Sequence, residues 1–158
     1  MNEQDISNAV KAVLEGMNAN GSHHAQGHVC KCKKNKMTLD KANSLIDKVK
    51  AKAETMGLNV VVAVADAAGR PVAVQSVDGA YIASLDIALN KSFTSASLKM
   101  STAKLAELSQ PGKELYGIQF TNEGKIVIFG GGEVLEADGK IIGALGEDRK
   151  STRLNSSH

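Results

Sequence analysis

The chain has 158 residues and a mass of 16.6 kDa, the size of one ordinary domain with room for tails. Hydrophobic residues make up 42% and charged residues 23%, enough for a packed core, and with 3% aromatics and no Trp that core is expected to be aliphatic and alanine-rich. The net charge of +2 hides a near-neutral centre, residues 37–146 carrying eleven basic and twelve acidic groups, which excludes a nucleic-acid surface; no apolar run reaches the roughly 18 residues of a membrane helix.

Residues 1–17 read as a short amphipathic helix. Ile6, Val10, Val13, Leu14 and Met17 recur at spacings of three and four, polar residues fill the other face, and acidic residues occupy the first turn, where the helix dipole favours them. A helix this short is marginal alone, so its apolar stripe calls for a surface. Residues 18–36 read as a flexible basic linker, from Asn18-Ala19-Asn20-Gly21-Ser22 to Lys33-Lys34-Asn35-Lys36.

Residues 37–146 carry the pattern of a folded domain. Thr38 is placed to cap a helix whose face is Ala42, Leu45, Ile46, Val49, Ala53 and Met56, ending at Gly57. Residues 58–65 form a β-branched run, hence a strand buried on both faces, and residues 72–77 return from a turn as its hairpin partner. Residues 80–98 show helical spacing through Ile82, Leu85, Leu89 and Phe93, and residues 102–108 add a short helix stopped by Pro111-Gly112. Residues 125–129 read as a strand, Gly130-Gly131-Gly132 as a break, and residues 133–137 and 140–145 as a hairpin around Asp138-Gly139. This order gives an α+β fold with a mainly antiparallel sheet of about five strands and packing helices, not alternating βαβ units. Residues 147–158 show no periodicity and no continuity with that hairpin.

Few residues carry chemistry. His28, Cys30 and Cys32, with His23 and His24, offer metal ligands, yet their spacing fits no zinc pattern and an exposed linker is the plainer reading. Gly130, Gly131 and Gly132 either turn the chain or let its backbone approach a ligand; no phosphate-loop ending follows them. Lys91 and Thr94 share a face of an Ala- and Ser-rich helix, where Lys91 either contacts an anion or snorkels to water. Tyr116 and Asn122 bracket a loop that would line a pocket near the glycines. No catalytic triad, zincin motif or telling carboxylate pair is present, and residues 37–146 hold no His to act as general base.

Three stretches within residues 37–146 resemble the haem-binding GlcG/HbpS-like family, which also forms the C-terminal domain of PduO-type proteins. They are Val62-Ala63-Val64-Ala65-Asp66-Ala67-Ala68-Gly69, the run from Ser84 through Asn90-Lys91-Ser92 to Ser95, and Leu115-Tyr116-Gly117-Ile118-Gln119 through Thr121-Asn122 to Ile126-Val127-Ile128-Phe129-Gly130-Gly131-Gly132. The resemblance implies a GlcG-like, profilin-like α+β domain that forms homo-oligomers and binds haem or, as a lesser expectation, a corrinoid. Lys91, Thr94, Tyr116, Asn122 and Gly130 to Gly132 are then the expected cofactor contacts, with any axial His supplied by the linker or a neighbouring subunit. The family continues after Gly143-Ala144-Leu145-Gly146 into a closing helix that is missing here; residues 148–158 resemble a translated sequencing adapter, so the natural chain is expected to differ beyond residue 146.

Residues 1–17 are separately similar to the encapsulation peptides of bacterial microcompartments, which would dock on shell or cargo proteins. Together these readings lead to a haem-binding accessory protein in the bacterial cytoplasm, within a microcompartment lumen and serving a pathway such as propanediol utilisation. It would contact neither membrane nor nucleic acid and would not itself be catalytic. An enzyme or enzyme subunit in haem degradation or cobalamin adenosylation, and a shell–cargo scaffold, remain the alternatives.

Overall fold

The computed structural model describes residues 36–151. Its elements are α1 (Leu39–Thr55), β1 (Leu58–Asp66), β2 (Pro71–Ser76), α2 (Ser84–Leu98), α3 (Thr102–Leu108), β3 (Gly132–Ala137) and β4 (Lys140–Ser151), with two 3-10 turns at Ile118–Phe120 and Asn122–Gly124. The strands form one antiparallel sheet in the order β2-β1-β4-β3. The α+β class holds, with four strands among the described residues instead of about five.

Local chemistry explains the elements that match expectation. The Thr38 hydroxyl accepts from the Lys41 N–H at 3.3 Å and caps α1, and Gly57, at φ 64°, turns the chain into β1. Ser101 caps α3 in the same way, accepting from Lys104 N–H at 3.2 Å. Asp138 and Gly139 both have positive φ, 51° and 70°, the signature of a tight two-residue hairpin turn between β3 and β4.

The core lies on both faces of the sheet. On one, Leu45, Ile46 and Val49 of α1 pack against Val60, Val62 and Val64 of β1 and Leu145 of β4. On the other, Ala88 of α2 meets Val61 and Ala63. The alternation of β1 residues between these clusters is the period-two pattern of a strand covered on both sides.

Three expectations need correction. Residues 125–129 join no ladder: Ile126 and Val127 are buried, but the Val127 N–H donates to Thr94 Oγ1 at 3.0 Å, so the segment is tied to α2 instead of to a strand. The apolar stripe expected over residues 80–98 is buried only in part, Leu89 packing half-buried against Val61, Ala63 and Ala88. Ile82 is 99% exposed and Leu85 43%, while the buried face is Ser84, Ala88, Lys91, Ser92, Thr94, Ser95 and Ala96. Finally, β4 does not stop at residue 145: Glu147 pairs with Val62 and Asp148 with Val61, and the ladder continues to Ser151.

The reversed face of α2 has a steric cause. Gly132 and Gly146 are register partners on β3 and β4, side by side beneath the helix. A Cβ on Gly132 would sit 2.6 Å from Thr102 Cγ2, 2.7 Å from Ser95 Oγ and 2.9 Å from the Lys91 carbonyl; one on Gly146 would strike the Ala88 carbonyl. Helix backbone rests directly on bare strand backbone, and only small side chains fit the seam. Adding a methyl here is overpacking, which costs about 1–3 kcal/mol. Gly132→Ala and Gly146→Ala are each expected to lower stability by about that amount in urea unfolding. An unchanged midpoint in both variants would mean that the helix is not seated on this pair.

Candidate functional site

The same close approach builds a pocket. Lys91 projects from α2 into the end of the α2–sheet seam and is only 3% exposed. Its ammonium donates to the Glu147 carbonyl at 2.9 Å and to Asp148 Oδ1 at 2.9 Å, and lies 4.5 Å from the centroid of the Phe129 ring. Two oxygens and one aromatic face surround the charge, the arrangement a buried ammonium requires. The other carboxylate oxygen, Asp148 Oδ2, accepts from Ser84 Oγ at 2.7 Å.

Opposite Lys91, the chain between residues 129 and 132 bends sharply. Gly131 has φ 110° and its carbonyl accepts from the Glu147 N–H at 2.7 Å. A Cβ on Gly131 would meet the Glu147 carbonyl at 2.6 Å and Lys91 Nζ at 2.9 Å. A side chain at this position would therefore fill the space. What results is an open pocket of about 190 Å³ lined by Lys91, Phe129, Gly130, Gly131 and residues 147–149. Phe129 is 41% exposed at its rim.

The expected site residues separate into three groups. Lys91, Gly130 and Gly131 line the pocket. Gly132 and Thr94 adjoin it but serve the packing: Gly132 N–H donates to Thr102 Oγ1 at 2.8 Å, and Thr94 Oγ1 donates to the Asn90 carbonyl at 2.7 Å. Tyr116 and Asn122 are exposed on the segment of 3-10 turns and are not among the pocket's walls. The targeting stripe Ile6, Val10, Val13, Leu14 and Met17, and the metal candidates His28, Cys30 and Cys32, lie outside the described residues.

Ser84, Phe129, Glu147, Asp148 and Arg149 escaped the sequence reading. Ser84 stands seven residues before Lys91, two helical turns away on the same face, and that spacing was the available signal. Nothing marked Asp148, because the stretch after residue 146 carries no pattern continuing the strand. A second, wider groove of about 560 Å³ runs between α1 and the strands near Gly57, Leu58 and Val77. It is flanked by Asp47, Lys50 and Glu54; Lys50 pairs with Asp47 at 3.5 Å and donates to Gln75 Oε1 at 2.8 Å.

Comparison with known proteins bears on this fold and pocket. An uncharacterized 15.0 kDa protein from the dhaT–dhaS intergenic region of Citrobacter freundii is 42% identical over 110 residues, covering 70% of this chain and 78% of its own. The corrinoid adenosyltransferase PduO of Salmonella typhimurium is 37% identical over 95 residues, 60% of this chain but only 28% of PduO. Among solved structures, that of a PduOC–haem complex superposes with a TM-score of 0.70 at 31% identity, covering 75% of this chain and 86% of the other. The family model described as haem degrading protein HbpS-like matches residues 37–147. With α1 through most of β4 inside that match, the chain belongs to the HbpS-like family.

Proposed function

We propose that this chain is a haem-binding accessory protein serving a bacterial microcompartment pathway such as propanediol breakdown, and is not itself a catalyst. The carrying observation is the pocket beside Gly130 and Gly131, at the close approach of α2 to the sheet, in a chain 31% identical to a domain crystallised with haem.

The pocket's size decides what part of a tetrapyrrole it fits. Sites that enclose a drug-sized ligand span about 300–1,000 Å³, and this one is about 190 Å³. It fits an edge or a carboxylate-bearing arm of the macrocycle, with the ring plane outside, against the exposed Phe129 face. Lys91 and Arg149 carry positive charge there, balanced by Glu147 and Asp148, and the bare backbone at Gly130 and Gly131 permits close approach. Bound haem would supply redox-active iron; among the described residues the pocket's only nitrogen side chains are Lys91 and Arg149, and the Lys91 ammonium is already engaged. Iron ligation is therefore assigned to His28, Cys30 or Cys32 of the preceding segment, or to a second copy of the chain.

Two further parts belong to this reading. Residues 1–17 serve as the targeting helix toward shell or cargo proteins. Self-association uses the exposed apolar side chains just before and at the start of α2, Tyr81, Ile82 and Leu85, since exposed apolar surface of this kind marks protein contacts.

Haem titration is expected to give a saturable Soret shift at micromolar haem, with cobalamin giving no comparable change; absence of the haem shift would remove the proposal. Deleting residues 1–17 is expected to keep a fluorescent fusion out of microcompartments while leaving the oligomer size in sedimentation unchanged. Continued entry of the deleted fusion would refute the targeting role, and dissociation to monomers would refute the assignment of self-association to α2.

A further inference from the structure

We propose that Ser84 and Lys91 form a two-point receptor for a carboxylate, filled in this chain by Asp148, which belongs to the stretch read above as foreign to the natural protein, and available to a ligand carboxylate when that side chain withdraws or is absent. The inference rests on reading the pocket as the place where a ligand's edge enters, and it names the chemical group that edge must carry.

The receptor is built by the helix. Ser84 and Lys91 lie two turns apart on one face of α2, and side chains on a helix lean toward its N-terminus, so the long Lys91 stem reaches back toward Ser84. Ala88, fully buried between them, leaves that path clear. The two donors meet the two oxygens of one carboxylate: Lys91 Nζ to Asp148 Oδ1 at 2.9 Å and Ser84 Oγ to Asp148 Oδ2 at 2.7 Å. Both donor residues are almost wholly buried, Ser84 at 0% and Lys91 at 3% exposed, so this is a formed site and not a surface encounter. The carboxylate also sits at the first turn of α2, where the helix dipole favours an anion.

Asp148 is the movable member. Its backbone is held in the ladder opposite Val61, but its side chain borders the open pocket and keeps 15% exposure against 4% for that of Lys91. Rotation about its own side-chain bonds vacates the receptor without disturbing β4. With Asp148 in place, the formal charges around the pocket cancel, Lys91 and Arg149 against Glu147 and Asp148. With it withdrawn, one positive charge is left in the seam, which a single ligand carboxylate neutralises. A ligand carboxylate thus restores the partner that the buried ammonium loses when Asp148 withdraws, the stranded charge being the state that buried ion pairs most resist. A tetrapyrrole propionate and a free short-chain carboxylate share this chemistry.

Chemical rescue tests the assignment without haem. Asp148→Gly is expected to lower Tm, and formate, acetate or propionate is expected to raise it again, saturably, by about 3 °C over sodium chloride at equal ionic strength. The parent protein should show a smaller carboxylate-specific rise, because the added carboxylate must displace Asp148, and the Lys91→Met/Asp148→Gly double variant should show none. If Asp148→Gly does not fold unaided, refolding yield in acetate against chloride gives the same reading. Equal responses to acetate and chloride, or full rescue in the double variant, would overturn the receptor. A failed haem titration leaves this result untouched, and a failed rescue leaves haem binding to be explained by other contacts.

Discussion

The structure depends on one close approach, that of α2 to the paired glycines Gly132 and Gly146. Because two strands present bare backbone side by side, the helix comes down until its own carbonyls at Ala88 and Lys91 meet them. That contact decides the helix's chemistry. Its buried face is Ser, Thr and Ala with Lys91, while Leu85 is exposed and Leu89 is only partly buried. The close spacing also places Lys91 within reach of the Glu147 carbonyl and the Asp148 carboxylate, giving the ammonium partners it would lack across a wider seam. Fold and pocket are consequences of the same geometry.

Most polar side chains in that seam are satisfied by backbone and by one another, the buried Ser95 hydroxyl being an exception. Thr94 links α2 to residues 125–127, Thr102 receives the first N–H of β3, and Ser84 and Lys91 share Asp148. Such a network fixes position more than it adds stability. A buried ion pair brings little net free energy over an apolar replacement, yet removal of one member costs about 3–5 kcal/mol because a charge is stranded. The aliphatic cluster between α1 and β1 carries the bulk of the stabilisation, leaving the opposite seam to serve binding.

Much of this was legible in the amino acids. Thr38, Gly57, the β-branched run of β1 and Asp138-Gly139 each act locally, and elements governed by them fall where propensity and turn chemistry put them. Residues 125–129 defeated the reading because β-propensity cannot foresee that a helix hydroxyl, Thr94, takes the N–H a ladder would use. The buried face of α2 defeated it because periodicity was counted in large apolar residues, whereas a seam against glycine selects small ones. The glycine pairing itself was hidden by a bulge. Counting back evenly from the Asp138-Gly139 turn sets Gly132 opposite Leu145, but a register shift between Leu135 and Glu136 moves it to Gly146. Lys91, Gly130 and Gly131 were recognisable as candidates; Ser84 and Asp148, which complete the Lys91 environment, became visible only when β4 was seen to continue past residue 146.

Haem placement is the claim on which the functional account turns, and amide-resolved NMR addresses it directly. Adding haem to ¹⁵N-labelled protein should broaden or shift the amides of Gly130, Gly131 and Arg149 while those of Gly57 and Asn59, in the groove beside α1, stay in place. Perturbations gathered at Gly57 and Asn59, with the Gly130–Gly131 amides unmoved, would put the macrocycle on the other face of the sheet and contradict the account.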